Sequence, residues 1–270
     1  TGPANATDHR IKWTSSNKTA ATVDENGTVT ALRPIETVTI TAVYKTNPAL
    51  TCSWNLKITR TKGYITKQML DNLDLTSIKK VMITAHPDDE TLWGGGHLIE
   101  GEYLVVCMTH GWNPKRRTAF EQTMRTTNDK YLILDYPDVR KTFSNGKYET
   151  DMLSTCKNAM QEDINLILSY KKWDLIATHN PFGEYGKFLH KTISQMVTQC
   201  YNKMTNKSAT LYYFGRYYNS SNKIPGEQIA PELLAIKNSM VGRYYPTAKG
   251  AIDAFGHMIP YENWLLPSEW

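Results

Sequence analysis

The pattern of hydrophobic residues changes near residue 60, and this change constrains the fold more than any other feature. Before it, apolar and polar residues alternate in short runs, as in residues 38–42. A period of two predicts half-buried β-strands. Asn26-Gly27 separates two such runs and predicts a hairpin, because both turn residues tolerate positive φ. We therefore predict a small all-β sandwich over residues 1–62.

After Gly63, short apolar runs alternate with segments of helical periodicity. The predicted strands are residues 81–85, 104–108 and 175–177, with a further candidate at 211–214. The predicted helices include residues 156–168, 193–204 and 231 to about 243. This alternation predicts an α/β domain over residues 63–270, with a parallel sheet flanked by helices. In such sheets, functional sites form at the carboxyl ends of the strands.

Composition excludes several classes of protein. Hydrophobic residues make up 40% of the 270 residues, enough for a folded core. The net charge is +5, but the Lys and Arg residues are scattered, so we expect no nucleic-acid partner. No run approaches the roughly 18 apolar residues of a membrane-spanning helix. The first residues, Thr1-Gly2-Pro3, lack the features of a signal peptide. We draw no conclusion about export from this start.

The cysteines indicate neither a metal site nor a redox pair. Cys52, Cys107, Cys156 and Cys200 have no CxxC spacing. Cys107 lies in an apolar run, and Cys156 and Cys200 lie on apolar helix faces. This placement favours buried free thiols, while disulfides stay open.

The first strand of the α/β region runs into the sequence AHPDDE at residues 85–90. Asp89 follows His86 by three residues as the chain turns into a helix, so both side chains can reach one metal ion. Asp88 lies between these ligands and is a candidate general base beside metal-bound water. We expect Glu90 to cap the helix or to support the ligands. The alternative is a solvated acidic turn, which the position after a buried strand disfavours.

A catalytic zinc site normally has three protein ligands and one open position, so a third ligand is needed. The best candidate follows the third predicted strand, in residues 178–190. Gly183 and Gly186 permit a tight loop there, and His190 opens the next helix. We predict that His190 faces the first loop, because parallel strands end at one edge of the sheet.

Short motifs recur through the N-terminal module. They are WTSSN at 13–17, ATVD at 21–24, NG at 26–27, VTA at 29–31 and TITA at 39–42. This set resembles a bacterial Ig-like domain of the second group over roughly residues 8–60. Ile35-Glu36 replaces the usual glycine before the Thr-rich strand, and the first strand is shortened. The resemblance implies a spacer or adhesion module of a secreted or surface protein, and we favour a spacer.

Residues 85–90 and 178–190 together resemble the PIG-L/LmbE family of N-acetylglucosaminyl deacetylases. That family has AHPDDE after its first strand and a later GxYGHxxH-like segment. The resemblance covers about residues 75–270 and implies a Rossmann-like sheet. It also implies the roles of individual residues: zinc, or another divalent metal, bound by His86, Asp89 and His190, with Asp88 as the base and Tyr185 positioning or stabilising the oxyanion.

Lys187 departs from this family pattern, which has a non-ligating active-site histidine at the same position. An ammonium group can stabilise developing negative charge, but it does not shuttle protons with the pKa of an imidazole. We therefore predict a catalytic role for Lys187 in charge stabilisation. His179 and His110 are alternative proton donors, and for each a structural role is equally open.

Weaker signals surround the two motifs. Arg117 and Glu121 match an Arg/Glu pattern of the family or form a simple i,i+4 ion pair. Asp138 falls where family members place an acidic residue. We expect His97 to be structural. His257 lies in a Tyr- and Trp-rich tail, for which packing is favoured over a sugar site.

These features predict a metal-dependent N-deacetylase that releases acetate from N-acetylglucosamine or a related N-acetylhexosamine. The substrate class is implied by the family resemblance alone. The Ig-like module favours a glycan substrate outside a bacterial cell or at its surface. Attachment of the protein to the cell surface, through sequence beyond this chain, is compatible with such a location. Two alternatives stay open: a metal-dependent hydrolase of another amide, and a glycan-binding protein whose site has decayed at Lys187.

Overall fold

The computed structural model describes residues 10–141, 148–149, 151–205 and 207–270, so the first nine residues of the predicted N-terminal module lie outside it. The rest of this module consists of antiparallel strands: β1 (Ile11–Ser15), β2 (Ala21–Val23), β3 (Val29–Ala31), β4 (Ile35–Tyr44) and β5 (Thr51–Ile58). One sheet has the order β1-β4-β5, and β2 pairs with β3. The predicted hairpin is confirmed: Val23 pairs with Val29, and Gly27 has a φ of 84°.

The remaining chain alternates between helices and strands. Its elements are α1 (Lys67–Asp71), β6 (Lys80–Thr84), α2 (Asp89–Glu100), β7 (Tyr103–Thr109), α3 (Pro114–Thr127), β8 (Lys130–Tyr136), β9 (Arg140–Lys141), β10 (Tyr148–Glu149), α4 (Asp151–Tyr170), β11 (Leu175–Thr178), α5 (Gly183–Gly186), α6 (Phe188–Lys203), β12 (Thr210–Tyr213) and α7 (Pro231–Phe255). Five strands form a parallel sheet with the order β8-β7-β6-β11-β12. The predicted parallel sheet flanked by helices is therefore confirmed.

The structure adds a fifth strand to the parallel sheet and extends the last helix relative to the sequence analysis. Strand β8 was missed, although Asn128, in the left-handed conformation at φ 60°, ends α3 just before it. An asparagine helix cap before an apolar run is the signal that could have found this strand. Helix α7 continues past residue 243 to Phe255, although Pro246 lies inside it and Ala248 leaves helical geometry. The prediction stopped too early because the helix bends there instead of ending.

The hydrophobic core lies on both faces of the five-stranded sheet. Along β6, Val81 and Ile83 pack in one cluster with α4 and α6. Met82 packs in the other cluster, with α2, α3 and α7. This division follows from the alternation of side chains along a strand. All four cysteines are free; Cys107, Cys156 and Cys200 are buried, as predicted, and Cys52 is exposed.

Strand order determines where a site can form. The chain adds strands from β6 towards β8, then crosses to the other side of β6 to add β11 and β12. The direction therefore reverses between β6 and β11, and ligands of such sheets bind in the crevice at that position. The loop after β6 carries AHPDDE, and the loop after β11 leads to His190. Within the described residues, no helix has the length and apolar character needed to cross a membrane.

Candidate metal centre

The three predicted ligands converge at the carboxyl ends of β6 and β11. His86 Nδ1 lies 3.3 Å from Asp89 Oδ2 and 3.1 Å from His190 Nε2. His190 Nε2 lies 3.4 Å from the same Asp89 oxygen. A tetrahedral zinc ion with metal–ligand distances of about 2.1 Å separates its ligand atoms by about 3.4 Å. The three atoms therefore already have nearly the spacing that a zinc ion needs.

The outer nitrogen of each histidine faces a carboxylate. His86 Nε2 lies 2.9 Å from Asp138 Oδ1, and His190 Nδ1 bonds Glu184 Oε2. When only the outer nitrogen of each imidazole carries a proton, the inner nitrogens present lone pairs to each other and to Asp89. In this protonation state the three buried acceptors attract a cation. This carboxylate–histidine arrangement is a common support of zinc ligands, so the donor set fits the metal.

The titration of the two imidazoles differs. Burial lowers the pKa of His86, but the negative charges of Asp138 and Asp89 outweigh this effect and raise it to about 9. Burial lowers the pKa of His190 to about 4, despite the charge of Asp89. A chain without metal therefore holds a proton on His86 that a bound cation displaces, so metal affinity depends on pH.

Asp88 immediately precedes α2 and has a strained conformation, with a φ of 133°. Its backbone N–H donates to Glu90 Oε2 at 3.1 Å, and Tyr244 donates its hydroxyl to Glu90 Oε1 at 2.6 Å. Glu90 therefore supports the candidate base Asp88, whereas the sequence predicted that it caps the helix or supports the ligands. Burial and the charge of Asp89 raise the pKa of Asp88 to about 7, although Arg116 opposes this shift from 2.9 Å. Strained residues of this kind are common at functional sites.

The loop after β11 is held by a buried amide. Asn180 Nδ2 donates to the carbonyls of Phe214 and Gly215, each at 3.0 Å. Its Oδ1 accepts the backbone N–H of Glu184 at 3.1 Å. Gly183 and Gly186 have φ values of 64° and 97°, so the tight loop predicted from these glycines is present. Together these features place Glu184 against His190.

An open pocket is lined by two of the ligands, His86 and Asp89, whereas His190 is fully buried. Its polar lining includes Asp88, Arg116, Asp138 and Lys187. Its other lining residues include Tyr185 from the same loop, and Leu92, Trp93, Ala248, Ala251 and Phe255 from α2 and α7. Burial, and next the negative charge of Asp89, raise the pKa of Tyr185 far above the working range, so its hydroxyl stays a proton donor. Both residues predicted to act on the substrate, Tyr185 and Lys187, thus border the pocket.

The structure decides against one of the two alternatives left open for Arg117 and Glu121. Arg117 donates to the carbonyl of Gly111, and Glu121 lies 3.6 Å from Arg125, so the simple Arg117–Glu121 ion pair is not formed. Arg116, one residue earlier, reaches the site instead. An i,i+4 spacing identifies partners along one helix and does not show which side chain points to the sheet edge.

The remaining histidines differ in position. His179 is buried and accepts the Ala85 backbone N–H through Nε2 at 2.9 Å, which is a structural role. His110 Nε2 lies 3.5 Å from Asp138 Oδ2, beside the centre. His97 stacks on Trp264 with ring centroids 3.7 Å apart. His257 Nε2 lies 2.8 Å from the Tyr218 carbonyl oxygen, so this part of the tail packs as expected.

The fold and the site thus define an α/β protein with a candidate metal centre, preceded by a β module. Residues 1–53 match the model of the bacterial Ig-like domain (group 2), which confirms the resemblance of that module. The chain is 31% identical over 175 residues to uncharacterized protein L374 of Acanthamoeba polyphaga mimivirus, covering 58% of this chain and 67% of that protein. The chain belongs to the same family as L374.

Other similarities are more limited. Uncharacterized protein CA_P0160 of Clostridium acetobutylicum is 33% identical over 91 residues, which cover 33% of this chain and 9% of that protein. The structure of the conserved protein TT1542 from Thermus thermophilus has 12% identity and a TM-score of 0.48. The match covers 70% of this chain and 94% of the TT1542 chain. A GH10 xylanase from termite gut that contains a bacterial Ig-like domain has 14% identity and a TM-score of 0.18. The match covers 94% of this chain and 64% of the xylanase chain. With TM-scores below 0.5, neither structure supports a conclusion.

Proposed function

We propose that this chain is a zinc-dependent N-deacetylase of the PIG-L/LmbE type, built on a Rossmann-like sheet. The observation that carries the proposal is the convergence of His86, Asp89 and His190 beside Asp88, in a pocket at the reversal of strand order. The strand order β8-β7-β6-β11-β12 is that of the first five strands of a Rossmann sheet. The proposed substrate is N-acetylglucosamine or a related N-acetylhexosamine, and the products are acetate and a free amine.

The pocket residues have complementary roles in this reaction. When bound, zinc acidifies a water molecule and polarises the acyl carbonyl group. Asp88 accepts the proton of the attacking water, and its bond from Arg116 fixes the orientation of the carboxylate. Lys187 and the Tyr185 hydroxyl stabilise the negative charge that develops on the carbonyl oxygen. A protonated group at the site then donates to the nitrogen as the carbon–nitrogen bond breaks.

The N-terminal module supports a substrate outside the cell. Bacterial Ig-like domains of this group occur in surface and extracellular proteins. We propose an extracellular or cell-surface location in a bacterium, an N-acetylated glycan as substrate and a spacer role for the module, with the division at residues 62 and 63.

Metal analysis and an acetate-release assay on the same sample test this proposal. We expect about one zinc ion per chain and acetate from N-acetylhexosamines or chitooligosaccharides. Asp88→Asn is expected to lower kcat by roughly 10²–10⁴-fold while the metal content stays unchanged. Asp74→Asn is the control, because Asp74 is exposed and its φ of 47° is one that asparagine tolerates.

Each alternative predicts a different result. A decayed glycan-binding protein releases no acid, and its Asp88→Asn variant behaves as the wild type. A hydrolase of another amide releases a different acid from a different substrate. Protein that carries no divalent metal, and that none activates, would contradict the proposed function.

A further inference from the structure

The lining of the pocket over the metal centre contains two chemically different groups of residues. One group is charged and consists of Arg116, Asp138 and Lys187. The other group, called the apolar wall below, consists of Leu92, Trp93, Ala248, Ala251 and Phe255. These five residues come from only two elements, α2 and α7, which pack against each other. The ligands His86 and Asp89 line the same pocket, so both groups are within reach of a substrate bound at the metal.

The five residues of the apolar wall offer a sugar ring no accessible hydrogen-bonding partner. Their only polar side-chain atom is Trp93 Nε1, which is buried from solvent. Tyr185, whose ring centroid lies 4.3 Å from that of Phe255, is assigned to the carbonyl oxygen in the proposed function. A pyranose against this wall would leave hydroxyl groups without partners, at a cost in free energy for each of them. The charged group of residues provides suitable partners. We therefore place the hydroxyl-bearing part of the substrate at Arg116, Asp138 and Lys187.

The shape of the wall favours a chain over a ring. Ala248 and Ala251 contribute only methyl groups, next to a break in α7 where Ala248 has a φ of −131°. Trp93 and Phe255 are 5% and 7% exposed, so neither presents an open ring face for stacking. The two alanines occupy little volume, and the pocket space beside their methyl groups is called the hollow below. A narrow, flexible hydrocarbon fits such a hollow better than a rigid ring does.

We propose that the apolar wall is an acyl subsite, which binds an N-acyl group longer than acetyl. This inference rests on the proposed function and specifies the class of acyl group. An acetyl group places one methyl group against the wall, whereas each further methylene removes more apolar surface from water. The reaction balances as hydrolysis: water adds to the acyl carbon, the carbon–nitrogen bond breaks, and a carboxylic acid and an amine leave.

A chain-length series tests this proposal without any mutation. Glucosamine carrying acetyl, butanoyl or hexanoyl groups is assayed with zinc-loaded protein, and kcat/KM is measured for each. We expect kcat/KM to rise about fourfold per methylene until the hollow is filled. Calorimetric Kd values for the same compounds and Asp88→Asn protein provide a readout that does not depend on turnover, and they are expected to fall in the same order.

Two variants locate the effect. Ala251→Leu fills the hollow, so the ratio of kcat/KM for the hexanoyl compound to kcat/KM for the acetyl compound is expected to fall at least tenfold. Ala254→Leu makes the same change on the exposed side of α7, outside the pocket lining, and is expected to alter neither value. The melting temperature of each variant shows whether it is folded.

The two proposals fail in different ways. Cleavage of the acetyl compound, with kcat/KM and affinity both falling as the chain lengthens, overturns the acyl subsite and leaves the deacetylase intact. Release of no acid from any of the three compounds by zinc-loaded protein contradicts the proposed function. If affinity still rises with chain length in that case, the subsite stands as a binding site.

Discussion

His86 Nδ1 and His190 Nε2 lie 3.1 Å apart, and each imidazole has its other nitrogen against a carboxylate. Two imidazoles in this arrangement repel each other unless a proton or a metal ion lies between them. The relationship joins the loop after β6 to the first turn of α6, across a separation of 104 residues in the chain. Metal binding is therefore linked to the stability of this edge of the sheet, because the unfolded chain does not bring the metal ligands together.

Glu184 is expected to control metal affinity without binding the metal. Glu184→Gln replaces the carboxylate beside His190 Nδ1 with a weaker acceptor, so we expect zinc affinity to fall about 10–100-fold. Competition with a chromophoric chelator measures this change. Glu121→Gln, half-buried on α3 and outside the pocket lining, is the control. An unchanged Kd for zinc in the Glu184 variant would show that this support is not needed.

Lys187 is expected to stabilise the transition state through its charge. Lys187→Ala is predicted to lower kcat roughly 10²–10³-fold, as for the loss of one oxyanion donor, and Lys187→Arg is predicted to retain part of the activity. Lys191→Ala, one turn further along α6 and exposed, is the matched control. Steady-state kinetics at saturating zinc make the comparison. Equal kcat values for Lys187→Ala and wild type would remove Lys187 from the mechanism.

Tyr244 is expected to hold the base in place from the far side of Glu90. Both side chains are fully buried, so Tyr244→Phe leaves the carboxylate with one donor fewer. We expect the free energy of unfolding to fall by about 1–3 kcal/mol and kcat to fall, with metal content unchanged. Urea unfolding and kinetics measure the two effects. The neighbouring Tyr245→Phe, which is 41% exposed, is expected to change stability by less than about 0.5 kcal/mol.

Asp129 gives the stability a pH dependence away from the metal centre. It accepts the Tyr103 backbone N–H at 2.7 Å, and burial raises its pKa from 3.8 to about 7. The folded chain therefore binds this proton more tightly than the unfolded chain does. The resulting stabilisation is complete below pH 3.8 and is lost as the pH rises to about 7.

Asp129→Asn removes this titration and keeps an oxygen for the Tyr103 N–H. The free energy of unfolding of the variant is expected to increase relative to the wild type between about pH 4 and about pH 8. Urea unfolding at several pH values measures the difference. A difference that stays constant over this range would mean that Asp129 does not titrate as described.

The sequence by itself determined the local features of this protein. Hydrophobic periodicity indicated the parallel sheet. The spacing of His86 and Asp89 indicated that both side chains reach one metal ion, because two residues only three positions apart at a strand end lie close together. The glycines at 183 and 186 predicted a tight loop, because their positive φ values need no tertiary partner. These properties depend on neighbours along the chain, which a sequence contains directly.

Only the tertiary structure decided which distant residues meet. Asp138 lies 52 residues from His86, and Tyr244 lies 154 residues from Glu90. Their contacts follow from strand order and from the bend in α7, which no local pattern specifies. The choice of Arg116 over Arg117 has the same cause, since it depends on how α3 is rotated against the sheet. The ligand motif was therefore predictable from the sequence, whereas its carboxylate supports and the apolar wall required the fold.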